Sequence, residues 1–175
     1  DKRDASVCYK NIGAAYLSLN KHQTALAYFN ASLRTREEIG DQYGIASTLN
    51  SIGNYYIESG DFKKSIPFFQ KSKAISKEID AKMHLKNSYE YLSIAYDGLN
   101  DFKNAYTYYQ LFSEIKDSIF NEEKSKAIGK LEARHEYEMA EMERERIKNE
   151  ELRVENEKTA RRNLLQYSGI LIFLV

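Results

Sequence analysis

Every 40 residues the chain returns to the same residue types. Ile12-Gly13-x-x-Tyr16 is followed by Ile52-Gly53-x-x-Tyr56 and then by Leu92-Ser93-x-x-Tyr96. Nine positions past each tyrosine stands a small residue (Ala25, Ser65, Ala105), and four further on an aromatic (Phe29, Phe69, Tyr109). Ile39, Ile79 and Ile119 close the units in the same register. Self-similarity at a fixed period restricts a chain to a stack of like supersecondary units, each burying its apolar face against the next. Such a stack offers an extended binding surface more readily than a pocket for chemistry.

Within a unit the apolar residues follow a helical period. Tyr9, Ile12, Ala15, Tyr16 and Leu19 are expected on one buried face, and Ala25, Leu26, Phe29, Leu33 and Ile39 on another after a break. The breaks are short and polar: Asn20-Lys21, Gly60-Asp61, Asn100-Asp101. Asn and Gly tolerate the left-handed end of a helix, and Asp61 or Asp101 can cap the next one. Each unit therefore reads as a helix–turn–helix hairpin. Gly13, Gly53 and Ser93 are expected to face Ala25, Ser65 and Ala105 across the hairpins, because helices about 8–10 Å apart need short side chains at the contact. The only proline, Pro67, falls inside the second helix of unit two, where the apolar pattern runs on through Phe68, Phe69 and Ile75.

The spacing Tyr9-x-x-Ile12-Gly13-x-x-Tyr16 followed by Ala25-x-x-x-Phe29 resembles the tetratricopeptide repeat, across roughly residues 5–119. The resemblance implies an all-α, right-handed solenoid of three hairpins (about 1–40, 41–80 and 81–119). The family's closing proline is replaced by Glu37, Lys77 and Asp117, and the period is 40 instead of about 34. The additional residues are expected around Arg34–Gly44 and Ser72–His84, lengthening the second helix and the start of the next. In such arrays the first helices line a concave groove, here expected to carry Lys10, Asn11, Asn50, Asn54, Asn87, Glu90 and Tyr91. Amide and amine groups there suit the backbone of an extended peptide, with Tyr91 as an aromatic anchor. Part of the family's carboxylate-clamping set resembles Lys10 and Asn54, but Ala14 and Glu90 depart from it.

Composition narrows the chemistry. Lys plus Arg and Asp plus Glu each number 26, so the net charge is zero, which argues against a broad electrostatic footprint for nucleic acid. The single Cys8 excludes an intrachain disulfide and is expected as a buried, inert thiol. His22 in the first turn, His84 in a linker and His135 on a charged helix are expected to be solvated, with no companions at metal-ligand spacing. No phosphate-binding glycine loop and no nucleophile–base pair is legible, so neither cofactor nor catalysis is expected here.

From Asn121 the texture changes. Asn121 can cap a new helix, and dense alternating charge continues through Arg162 with sparse apolar residues such as Ile128, Leu131, Met142 and Leu152. A long charged helix over 120–163 is expected, with a homodimeric coiled coil as one use of it. Residues 164–175 are uncharged and apolar, and read as the start of a transmembrane helix behind Arg161 and Arg162. Twelve residues are fewer than the roughly 20 a span needs. This order of parts resembles bacterial membrane-bound sensor proteins with tetratricopeptide repeats. That resemblance implies an inner-membrane protein with an extracytoplasmic array, relaying partner binding to a histidine kinase or transcriptional output; a membrane-tethered scaffold is the alternative.

Overall fold

The computed structural model describes the backbone of residues 1–173 and the side chains of residues 1–165. Six helices and no strands occur among the described residues: α1 (Lys2–Ser18), α2 (His22–Glu38), α3 (Gln42–Glu58), α4 (Phe62–Glu78), α5 (Lys82–Gly98) and α6 (Phe102–Phe173). The first five are each 17 residues long and separated by three, so the 40-residue period is two such helices and two such connections. The chain separates into two units, Asp1–Glu122 and Glu123–Val175.

Punctuation sets the hairpins. Asn20, Gly60 and Asn100 turn the chain inside each unit with φ of 56°, 78° and 59°, the left-handed region that Gly and Asn enter at least cost. Gly40 and Asp80 do the same between units, with φ of 67° and 51°. Asp41, Asp61 and Asp101 then accept from the backbone N–H three residues on, at 3.0, 3.3 and 3.2 Å, and cap α3, α4 and α6. The next position in the series, 120, is phenylalanine. A bulky residue does not enter the left-handed region readily, and α6 passes through Phe120 without a break. Asn121 therefore caps nothing, contrary to the sequence expectation. Pro67 lies inside α4, which continues for eleven further residues to Glu78.

Three aromatic stacks repeat with the period: Tyr16 on Tyr28, Tyr56 on Phe68 and Tyr96 on Tyr108, with centroids 5.6, 5.4 and 5.6 Å apart. The periodic tyrosine thus pairs with the residue before the periodic aromatic. Phe29 and Phe69 instead lie over Gly13 and Gly53, where an added Cβ would come within 2.7 Å of Phe29 Cδ1 and 2.5 Å of Phe69 Cζ. In unit three the serine hydroxyl of Ser93 donates to the Ala105 carbonyl at 3.0 Å. The crossing glycines accommodate a ring, and Gly13 also meets Ala25, through its carbonyl.

Between units the contact is partly polar. Ser32 donates to the Ser6 carbonyl at 2.7 Å and lies 3.3 Å from the Thr48 hydroxyl. One period on, Ser72 donates to the Ala46 carbonyl at 2.9 Å and lies 3.0 Å from the Ser88 hydroxyl. These fully buried hydroxyls join each hairpin to the next helix, and all are hydrogen-bonded as burial requires. Leu17, Ala25, Phe29 and Ile52 form the apolar core beside them, with Tyr16, Leu26 and Leu33 packed against it.

Unit one corrects the face drawn for α1. Leu19 is exposed as its counterparts Ser59 and Leu99 are; Ile12 and Ala15 are exposed because in α3 and α5 the corresponding face lies against the preceding hairpin. Cys8 is exposed for the same reason, not buried. In the second unit the side chains of α6 through Leu165 are exposed, with Arg134–Glu138, Arg146–Glu143 and Arg153–Glu150 paired one turn apart at 2.8 Å. The apolar stretch 164–175 falls largely outside the described side chains; among the described residues no helix is long and apolar enough to cross a membrane.

Candidate functional site

The first helices of the three hairpins, α1, α3 and α5, share a cleft of about 580 Å³. Equivalent positions on stacked helices lie side by side, so residues one period apart line it together. Lys10 comes from α1, Asn50 and Asn54 from α3, and His84, Asn87 and Tyr91 from α5. Ser47, Ser51 and Glu58 add hydroxyls and a carboxylate, and the edge of Phe29 forms part of the floor. Five of the seven residues expected in the groove meet here. Asn11 is exposed beyond its rim, and Glu90 is half-buried outside it.

The five are not equivalent. Asn50 is buried and already committed: its amide donates to the His84 carbonyl at 3.2 Å and its oxygen accepts from Ser88 at 3.0 Å. It pins α5 to α3 and has little left for a ligand. Asn54 donates to Glu58 at 2.8 Å, an exposed contact that a ligand can exchange. Lys10 donates to Ser47 at a long 3.3 Å, and burial, then the Arg36 guanidinium, lowers its pKa. Tyr91 stacks on Phe69 with centroids 5.1 Å apart, presenting a ring already held by the core. Burial, then Glu90 and Glu58, raises its phenol pKa.

Charge behind the cleft is unusual. Arg36, 3% exposed, donates from Nε to Ser6 at 3.2 Å and from Nη1 to Thr48 at 3.0 Å and to the Gly44 carbonyl. Its acceptors are neutral, so the guanidinium charge is only partly offset, by Asp41. His84 lies near it, half-buried, with its ring 4.2 Å from Tyr43 and its Nε2 buried without a hydrogen-bond partner. Burial, then Lys10 and Arg36, pushes its pKa down, so the neutral imidazole is favoured. The cleft is therefore weakly electropositive at the Lys10 end and offers donors, a neutral imidazole and an aromatic face.

His84 corrects the expectation of a solvated linker histidine. The signal was present: Asp41 is a cap, and one period on Ala81 is the cap of α5, which puts His84 in the first helical turn. His22 is also half-buried at the start of α2, edge-on to Tyr55 at 5.9 Å with Nδ1 unpartnered. His135 is exposed. No cluster of three or more His, Cys, Asp or Glu that could hold a metal occurs among the described residues.

Comparison with known proteins agrees with this geometry. The family model for the tetratricopeptide repeat matches residues 8–38 and 46–78. No curated protein matches the chain. Among solved structures, the chain is similar to the TPR domain of Arabidopsis FLU, at 17% identity and a TM-score of 0.63 over 67% of this chain and 99% of that one. It is similar to BtubC (BKLC) from P. vanneervenii at 18% identity and 0.61, over 65% of this chain and 47% of that one. The N-terminal domain of stress-induced protein-1 (STI-1) from C. elegans aligns at 15% identity and 0.56, over 66% and 87%. At these identities the structural likeness speaks for the fold alone. The third hairpin, outside the matched residues, repeats the same turns and stacks. Residues 8–38 and 46–78 thus carry tetratricopeptide repeats, and the array shares its fold with those structures.

Proposed function

We propose that residues 1–119 act as a non-catalytic protein-interaction module that takes an extended protein segment along the α1–α3–α5 cleft. The observation that carries this reading is the cleft itself, continuous across three hairpins and supplied with side chains that are not all committed to the fold. Lys10 and Asn87 offer donors, Asn54 exchanges its Glu58 contact, and the Tyr91 ring supplies apolar area at low entropic cost. Asn50 takes no direct part, because its hydrogen bonds hold the cleft's shape. Selection of peptides from a displayed random library against the full chain tests the reading. Peptides so recovered lose about thirtyfold in affinity on Tyr91→Ala, the order expected of an aromatic anchor worth about 2 kcal/mol. Peptides that bind the Tyr91→Ala and Lys10→Glu chains as well as the original overturn it.

A finer reading rests on the order of parts along the sequence: repeats, then a charged helix, then the apolar residues 164–175. In it the array is the input of a membrane-anchored signalling protein, and the 121–163 segment pairs with a second copy. Its exposed Ile128, Leu131, Met139 and Met142 supply the apolar side chains for that pairing. Removing residues 1–119 from the intact protein then alters its signalling output; unchanged output rejects this reading and leaves peptide binding by the cleft standing.

A further inference from the structure

Position 36 departs from the period. Its counterpart one unit on is Ser76, fully buried between α4 and α5. A serine therefore suffices to pack such a junction, yet the first junction buries a guanidinium among neutral acceptors. A charge so placed is poorly screened and acts on whatever fills the space beside it. The fold takes Nε and Nη1 of Arg36, which leaves Nη2 for a ligand.

That space is a second cleft of about 510 Å³ between α1 and α3. Arg3, Val7 and Lys10 line it from α1, and Tyr43, Gly44 and Ser47 from α3. Arg3, Lys10 and Arg36 thus face a single carboxylate, Asp41, in a chain whose charges balance at 26 of each sign. Asp41 is already engaged, accepting from the Gly44 N–H at 3.0 Å. Lys10 registers the local excess, for burial and then Arg36 lower its pKa. At the next junction the counterparts of Arg3, Lys10 and Arg36 are Tyr43, Asn50 and Ser76, none of them cationic. There the Tyr43 and His84 rings pack with centroids 4.2 Å apart. Of these two junctions, only the first keeps an open cationic corner.

We propose that this corner binds a phosphate group carried as phosphoserine or phosphothreonine on the segment lying in the α1–α3–α5 cleft. The site therefore stands only if that cleft is a peptide groove, as read above. Lys10 and Ser47 line both clefts, so a segment in the groove passes the mouth of the corner. A phosphate monoester carries a charge of about −1.5 to −2 at pH 7, which matches three cations less one carboxylate. A side-chain carboxylate would neutralise only half of that excess. Guanidinium and ammonium groups with the Tyr43 and Ser47 hydroxyls supply donors for its three oxygens.

A peptide array with randomised flanks around one fixed serine or phosphoserine, probed with the full chain, tests the site. Phosphoserine members should be retained about tenfold more than their serine counterparts, the size of a charge-assisted hydrogen bond. The preference should vanish in Arg36→Ser, which installs the residue used at the second junction, and should shrink in Lys10→Gln. Serine members should bind Arg36→Ser as they bind the original, because Arg36 lies behind the groove. Circular dichroism melts check folding, and if Arg36→Ser does not fold, the ratio in Lys10→Gln decides. Equal retention of both forms by the original chain, or a preference that either folded variant keeps in full, overturns the phosphate site and leaves the groove standing. Retention of neither form removes the groove and this site with it. Inorganic phosphate alone, titrated by calorimetry, should bind far more weakly than the phosphorylated peptides, since it makes none of the groove contacts. Equal affinity would make the corner a site for a free anion and overturn the segment as its source.

Discussion

Gly53 sits beneath the Phe69 ring, and that one crossing shows what a single position holds in this array. In an open helix, glycine to alanine gains about 1 kcal/mol from propensity. Here the added methyl meets a fully buried ring, so Gly53→Ala should gain less than that or lose, and Gly53→Leu should cost about 1–3 kcal/mol by overpacking. Urea denaturation of the two variants checks both signs; an unchanged midpoint for Gly53→Leu would remove the crossing from the account. His84 carries the pH dependence. Its imidazole pKa is lowered by burial first and by Lys10 and Arg36 next, so the unfolded chain binds its proton more readily than the folded one. The contribution is therefore present above the ordinary imidazole value, about 6.5, and is lost as pH falls from there through the lowered folded value. Melting temperature should drop across that window, and His84→Gln should flatten the drop. The glycine's need for space was legible in the sequence because three copies agreed on a small residue. The ring that imposes it was not, since adjacent aromatics such as Tyr28 and Phe29 cannot be told apart by period alone.

At the scale of elements, three-residue connections with one left-handed residue each decide where helices stop. Asp80 holds a φ of 51° that glycine holds at Gly40 and Gly60. An L-residue in that region costs about 1–2 kcal/mol, so Asp80→Gly should stabilise by about 1 kcal/mol and Gly40→Ala should destabilise by a similar amount. Thermal melts of the pair give the two opposite signs. Phe120 is the counter-case, for it occupies the third linker position and α6 continues through it. Phe120→Gly weakens the helix there by about 1 kcal/mol, read as faster hydrogen exchange at the amides that follow. The hairpins were legible because polar turns recur every 40 residues. The absent break at 120 is not legible, because Asn121 and its glutamates look like a helix start. What decides is the residue before it, which cannot turn left-handed cheaply. The hydroxyl ladder through Ser32, Thr48, Ser72 and Ser88 is not legible either, since small polar residues read as solvated until neighbours bury them.

For the molecule as a whole, stacking turns a sequence period into a surface. Residues 40 apart become neighbours on adjacent first helices, which is why Lys10, Asn50, Asn54, Asn87 and Tyr91 meet although they span 82 positions, from 10 to 91 inclusive. That convergence was legible from periodicity. The difference between the committed Asn50 and the exchangeable Asn54 was not, because it depends on which side chains α5 brings within reach. Zero net charge over the whole chain gives no broad field to act through, so recognition rests on contacts inside the cleft. Hydrogen–deuterium exchange of the full chain, with and without a peptide selected on it, addresses that claim directly. The account predicts slowed exchange confined to the turns of α1, α3 and α5 that carry Lys10, Asn54, Asn87 and Tyr91, and none of it in Tyr91→Ala at the same peptide concentration. Slowed exchange on α2 and α4 instead, or an identical pattern in the variant, would contradict it.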